Sequence, residues 1–281
     1  MTNPFNTTGS AKAFHIDVEG AAPAEIIPNA LILNTSTKAG NVKGDEPYVR
    51  VPKVDLTDAP DFVAEGDAIE ESDPDDDEVL VGTSKIAVLF PVSIEQYQTG
   101  QAAELLSNAT RRAMTRKANA AYLAQAAPTP PAVRPPAGII HQGVTDGGVI
   151  GEDLDALIDA IAAIENAGGE ATNILAHPNA WATLSKLKSA VDSNVSLIGA
   201  GTEPADRRLL GVGVTVDRDV PEDSIIVLDK EAILSVYGGL EIASSEHYYF
   251  NRQAVAIRAT WRFGATIHDA SRVVLLGVDG S

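Results

Sequence analysis

Cysteine is absent from all 281 residues, so neither a disulfide nor a thiolate metal site belongs to this chain. Aromatic residues make up only 5%. Ala, Val, Ile and Leu therefore carry the apolar content, which at 44% suffices for a sizeable core in a chain of this length. No apolar run approaches the roughly 20 residues of a membrane helix. The first residues, MTNPFNTTGS, lack a basic stretch followed by an apolar one, which predicts no signal peptide and a cytoplasmic origin. On that reading the Asn-x-Ser/Thr triplets at Asn6, Asn34 and Asn108 carry no glycan. Positive charge is also short: 21 Lys and Arg stand against 39 Asp and Glu, a net charge of −18. Binding to phosphates works by Lys and Arg displacing counterions, so a nucleic-acid-binding role is disfavoured.

Catalytic patterns are missing as well. There is no GxSxG and no GxxxxGK[ST]. Gly211-Val212-Gly213 opens a dinucleotide fingerprint, but Val216 occupies the third glycine position and a strand continues through it. The five histidines (His15, His141, His177, His247 and His268) are scattered, with no HxxxH or HExxH. His177, just before Pro178, reads as a helix cap rather than a catalytic group. Residues 73–78 (DPDDDE) start like a calcium loop. The pattern then fails, with Glu78 where the turn needs Gly and Ser84 where a bidentate Glu is required. No catalytic residue, cofactor or metal site is expected.

What is present is a sharply local acidity. Residues 55–78 hold twelve Asp and Glu, and no Lys or Arg lies between Lys53 and Lys85. Tyr48-Val49-Arg50-Val51 alternates as a half-buried strand does, and residues 85–90 (KIAVLF) read as a second strand. Residues 45–90 are therefore predicted to form a long hairpin with an acidic tip. Such a tip cannot enter its own core, and a connection of this length implies a job.

Residues 1–44 are rich in Thr, Asn, Pro, Gly and Ala and have too little to bury alone. From Ser93 to about Ala126 one long helix is predicted, opened by a capping box of Ser93 and Gln96. Ile94, Tyr97, Leu105, Ala109 and Ala113 give it an apolar face. Arg111, Arg112, Arg116 and Lys117 form a basic cluster on it, a natural counterpart for a neighbour's acidic hairpin. Pro128, Pro130, Pro131, Pro135 and Pro136 forbid its continuation.

The second half mixes helices and strands, giving an α+β class. Leu154, Leu157, Ile158, Ile161 and Ile164 recur at helical spacing up to Gly168-Gly169. Pro178 opens a second helix, with Trp181, Leu184, Leu187 and Val191 inward. Strands are predicted at 173–176, 213–217, 225–228, 232–237, 240–243, 254–263 and 273–276. Arg258 and Arg262 share the face of the sixth that is opposite Trp261, and read as solvent-exposed or as inter-subunit contacts.

The runs HPNAWATLSKLK from His177, LLGVGVTV (209–216), SIIVLD (224–229), FNRQAVAIRATWR (250–262) and ASRVVLL (270–276), in this order, resemble the Hong Kong 97-type capsid fold of tailed bacteriophages. Residues 45–126 match it in layout rather than in motif. The resemblance implies a structural, non-enzymatic major capsid protein that self-assembles into the pentamers and hexamers of an icosahedral shell around double-stranded DNA. It implies an N-terminal arm (1–44), an extended E-loop hairpin (45–90), a peripheral domain with the spine helix (91–151), an axial domain (152–245) and return strands of the peripheral domain (246–281). Shell contacts are then expected at Asp75, Asp76, Asp77, Glu78, Arg111, Arg112, Arg116, Lys117, Arg258 and Arg262.

Some members crosslink an E-loop Lys to an Asn; here the aligned position reads Gln253 and the E-loop tip has no Lys, so no crosslink is expected. Other members carry an extra N-terminal region that serves as a built-in scaffold and is cleaved; its absence here implies either a separate scaffold protein, which Met1 favours, or an already mature chain. Further partners implied are a portal, a decoration protein and packaged DNA held without sequence-specific contact, with no membrane. The expected location is the virion, after assembly in the host cytoplasm. An encapsulin-like nanocompartment shares the fold and is the alternative.

Overall fold

The computed structural model describes residues 18–56, 62–63, 74–95, 101–151, 153–188, 196–198 and 207–279. Two six-stranded sheets and one two-stranded ribbon organise them. The first sheet runs β1 (Val18–Ala21), β12 (Leu240–Tyr249), β13 (Ala254–Ile267), β11 (Ile233–Tyr237), β2 (Thr37–Gly40), with β5 (Ser84–Ser93) also paired to β13. The second runs β6 (Thr145–Ile150), β14 (Val273–Val278), β10 (Ser224–Leu228), β7 (Asn173–Ala176), β9 (Val212–Val216), β8 (Arg208–Leu209). The ribbon is β3 (Tyr48–Leu56) with β4 (Pro74–Gly82).

Burial explains why these residues choose these strands. All five residues of β10 are buried. Ile226 and Leu228 face one core, Ile225 and Val227 the other, so the run IIVL after Ser224 is continuously apolar because both its faces are covered. The outer core of the second sheet receives Leu157, Ala160 and Ile164 of the helix Asp155–Asn166 and Ala180 and Leu184 of the helix Pro178–Lys186. Gly168, at φ 76°, ends the first of these helices, and the Gly169 N–H donates to the Ile164 carbonyl. His177 caps the second through Nδ1, which accepts from the Asn179 N–H at 3.2 Å. Trp181, expected inside, is only half-buried against this core, and Ile158 is exposed.

The other core joins the two sheets around the long helix Gln101–Ala124. Trp261 is its centre: 1% exposed, stacked on Phe263 at 4.5 Å, its indole N–H donating to the Gly238 carbonyl at 3.0 Å. The helix buries Met114, Ala118, Asn119, Tyr122 and Leu123. This corrects the expected apolar face, since Ala109 and Ala113 are exposed and Ile94 is 37% exposed. Alanines carry little pull to the core, and the larger residues one turn on set the rotation of the helix. Ser93 ends β5 instead of capping the helix. Gln96, Tyr97 and Val191 lie outside the described residues, as does the side chain of Leu105.

Two further expectations change. Residues 1–44, expected as an arm, are not all free of the subunit. Ile27, Ala30, Leu31 and Ile32 are all buried in the first core, and the Leu31 N–H donates to Asn119 Oδ1 at 2.8 Å. Thr35 meets the Tyr122 hydroxyl at 3.0 Å, and β2 pairs in parallel with β11. Residues 26–33 supply a short apolar wedge, and the subunit uses it itself. The hairpin is also differently paired. Residues 85–90 belong to β5, which runs against β13 from Ser93 opposite Ala254 to Ser84 opposite Phe263. The partner of β3 is the acidic stretch β4. Finally, a boundary at 245/246 does not follow the sheets: β11 and β12 already belong to the first, and β14 pairs with β10 and β6 in the second.

Candidate functional site

Three surfaces gather the residues singled out on the sequence. The first is the ribbon. Its nine register pairs, Tyr48 with Gly82 through Leu56 with Pro74, extend it by about 30 Å at roughly 3.4 Å per residue. Its root is anchored: Val51 and Val81 are buried with Val42 and Val236, flanked by Val49, Val79, Ala39 and Leu234. Within the root Thr83 is buried, and its N–H donates to the Pro47 carbonyl at 2.9 Å. Outward from the root, Glu78 accepts from Arg50 Nη1 at 2.9 Å, both side chains more than half exposed. Beyond it Asp77, Asp76 and Asp75 take the register positions of Lys53, Val54 and Asp55. Asp75 thus stands opposite Asp55, a like-charge pair that a two-stranded ribbon disfavours, whereas Asp77 stands opposite Lys53.

The second surface is the basic face of the long helix. Arg112 and Lys117 are exposed. Arg111 is half-buried, and its Nε has no hydrogen-bond partner. Arg116 lies 3.7 Å from Asp219 Oδ1 of the same chain. Burial pushes the Asp219 carboxyl above its ordinary range, Asp217 adds to this, and Arg116 and Arg218 offset it in part. Beneath, the buried Asn119 donates from Nδ2 to Asp217 Oδ2 at 3.1 Å, while its Oδ1 receives the Leu31 N–H. One amide thus ties the helix to the N-terminal wedge and to the end of β9. Burial also drives the Tyr122 phenol well above its usual range, so it stays a neutral partner of Thr35.

The third surface is the open face of the first sheet. Arg258 is exposed there, in register with Leu89 and Ala243. Arg262 is not available in the same way, with only 11% of its side chain exposed. It pairs with Asp45 through Nη2, and its Nη1 donates to Thr83 Oγ1 at 3.2 Å and toward the Glu46 carbonyl. The arginine is a clamp across the hairpin root. Its proximity to residues 45–46 arises from tertiary folding, which the alternation along β13 does not reveal.

Sequence reasoning missed two features. One is the buried acid Asp229, 2% exposed, which accepts the Glu231 and Glu170 N–H groups and stands 3.7 Å from Arg272 Nε. The other is a groove beside the long helix that includes Lys85 and Arg134. Lys85 opens a strictly alternating run and could have been placed outward; Arg134, within a proline-rich loop, carried no such signal. Among the described residues, no group of three or more His, Asp or Glu is arranged to hold a metal ion. Among the same residues no helix is long and apolar enough to cross a membrane.

Residues 26–278 match the family model described as the phage capsid family. No curated protein sequence matches the chain. Among solved structures, one from Gordonia phage Cozz aligns with a TM-score of 0.69 and 16% identity, covering 98% of this chain and 91% of that one. One from Mycobacterium phage Bobi gives 0.66 and 14%, covering 94% and 96%. The capsid of the native GTA particle gives 0.64 and 16%, covering 98% and 100%.

Proposed function

We propose, on the premise that this chain belongs to the phage capsid family and is a structural subunit of its icosahedral shell, that the β3–β4 ribbon is the E-loop through which one subunit holds the next. The ribbon is the observation that carries this reading. It is anchored at its root, extends about 30 Å, and concentrates acidic residues along β4. Asp75, Asp76 and Asp77 would face basic groups of a neighbour, and Glu78 would do so while shared with Arg50. The exposed Arg112, Lys117 and Arg258 are the leading counter-charges. Arg111 would contribute through its groove, and Arg116 less because Asp219 already engages it. Arg262 is assigned to its own hairpin root.

The remaining roles follow the sheets. The long helix and the first sheet would form the peripheral domain. The second sheet with its two outer helices would form the axial domain, meeting copies of itself in pentamers and hexamers. Residues 1–17, outside the described part, are left as the arm. A net charge of −18 suits a wall that must enclose double-stranded DNA without gripping it. A separate scaffold, a portal and a decoration protein complete the partners, and assembly would take place in the host cytoplasm. The family model is that of phage capsids, so an encapsulin-like compartment is not favoured.

Individual exposed ion pairs contribute only about 0–1 kcal/mol, but a closed lattice repeats them in every subunit. Negative-stain microscopy with light scattering on the expressed chain should show closed shells or rings of five or six. Raising salt to the molar range, where the screening length falls to about 3 Å, should lower shell stability. A chain that stays monomeric with and without the products of neighbouring genes would refute the shell assignment, and salt-independent shells would refute the electrostatic contact.

A further inference from the structure

Two grooves flank the long helix, and they differ in charge. The first, about 900 Å³, passes Arg111, Arg112 and Arg116, but Asp217 and Asp219 line it too. The second, about 510 Å³, lies between the helix, the start of β5, the C-terminal part of β13 and the proline-rich loop. Ile86, Ala121, Tyr122 and Phe263 give it apolar walls, and Lys85, Lys117 and Arg134 give it basic groups; no Asp or Glu is among its described lining residues. The three basic side chains are exposed, and none of them is in an ion pair among the described residues. Lys85 also stands directly opposite Arg262 across β5 and β13, a like-charge pair that costs stability. Asp45 answers Arg262 and leaves Lys85 unanswered. In a chain where 39 Asp and Glu outnumber 21 Lys and Arg, Lys85, Lys117, Arg134 and Arg262 have gathered at one recess whose described lining holds no acid.

The recess is preformed. The Gly138 N–H donates to the Gln125 carbonyl at 2.8 Å, and a Cβ at Gly138 would stand 2.6 Å from the Leu123 carbonyl oxygen, so only glycine lets the loop pass this close to the helix end. Gln142 Nε2 donates to the Ala137 carbonyl at 2.7 Å and to the Ala265 carbonyl at 3.2 Å, and its Oε1 accepts the Ile267 N–H at 2.8 Å. One amide thus fixes the loop that carries Arg134 to β13. Small-ligand sites are cavities of roughly 300–1,000 Å³ with apolar walls and a few converging polar groups. A bare inorganic anion would leave these apolar walls unused, and a neutral ligand would leave the clustered cations unrelieved. We propose that the recess is a binding site for a small amphipathic anion. Its aromatic or alkyl body would lie against Ile86 and Phe263, and its carboxylate, sulfonate or phosphate head would be held by Lys85, Lys117 and Arg134. The site lies within one chain, so the proposal does not depend on shell assembly. Of the counter-charges assigned above to a neighbour's ribbon, Lys117 alone belongs to it.

Anilinonaphthalene sulfonate tests this on the purified chain, with phenylnaphthylamine, the same rings without the sulfonate, as its neutral counterpart. A net charge of −18 repels anions in general, so saturable binding of the sulfonate reports a local site. Fluorescence titration should show one sulfonate bound per chain and the neutral compound bound more weakly. The double variant Lys85→Gln, Arg134→Gln should weaken sulfonate binding at least about tenfold, the equivalent of one charge-assisted hydrogen bond at roughly 1.4 kcal/mol. Arg112→Gln, in the other groove, should bind as the wild type does. The substituted side chains are exposed, so thermal melting without the probe should be unchanged in each variant. Arg134→Gln alone, on the loop and outside both sheets, repeats the test without touching a strand and should also weaken binding. No saturable binding, equal binding of the neutral compound, wild-type affinity in the double variant, or an equal loss in Arg112→Gln would each overturn the proposal.

Discussion

Strand β10 and the ribbon β3–β4 solve opposite problems. Strand β10 has neighbours on both edges, β7 and β14, and apolar cover on both faces. The ribbon has one partner per strand, and among its described side chains the buried ones are the root valines. A sheet satisfied on every side tolerates almost no change, because packing there is as dense as in a crystal. A ribbon anchored at one end can change its outer residues at little cost to the subunit, which leaves their sequence free to serve contact and charge.

That contrast can be broken first at the core. Trp261→Ala removes the largest fully buried side chain, its stacking on Phe263 and its bond to the Gly238 carbonyl. Chemical denaturation of the subunit should show a loss of about 3–5 kcal/mol. A loss under 1 kcal/mol would mean that the core around the long helix is not the continuous unit it looks like.

A smaller and more selective effect is expected at the ribbon root. Val81 is fully buried among Val42, Val51 and Val236. Val81→Ala should cost about 1.5 kcal/mol, at roughly 0.8 kcal/mol per buried methylene. Native-state amide exchange should place that cost: faster across β3 and β4, unchanged across β10 and β14. Equal acceleration in both regions would show that the ribbon unfolds only with the whole subunit, and the distinction between them would fall.

The same contrast decides what was legible in the sequence. Strands β7, β9, β10, β11, β13 and β14 were readable within about two residues, apart from the longer C-terminal end of β13, because burial on one or both faces leaves a direct apolar signature. The cap at His177 and the stop at Gly168 were readable because they are local chemistry. The ribbon's second strand was hidden by its own charge: PDDDEVLVG opens as a loop would and becomes a strand through pairing with β3. The alternation at 85–90 was read correctly as a strand but given the wrong partner, since nothing local says that β5 will meet β13 some 170 residues later. Strand β6, TDGGVI, has too weak a signature to show before β14 supplies its partner. Of the candidate contact residues, the charges themselves were evident. Which were already committed within the subunit, as Arg262 and Arg116 are, depended on long-range folding.

The most delicate difference lies where helix, wedge and second sheet meet. Asp219 is held above its ordinary carboxyl range chiefly by burial and then by Asp217. A carboxyl whose folded value is raised binds its proton more tightly in the native state, so its contribution to stability is greatest at low pH and is lost as pH rises through the folded value. At neutral pH Asp219 is therefore a net cost to the subunit, despite Arg116 at 3.7 Å. Asp219→Asn should be more stable than the wild type at pH 7. That advantage should shrink as pH falls through the raised carboxyl range, when the wild-type side chain also becomes neutral. Paired denaturation curves of the two proteins from pH 7 to pH 4 measure the difference, in which the other carboxylates cancel. A variant less stable than wild type at pH 7 would show that the pairing with Arg116 outweighs burial. The junction would then be held by charge rather than by packing, as β10 is.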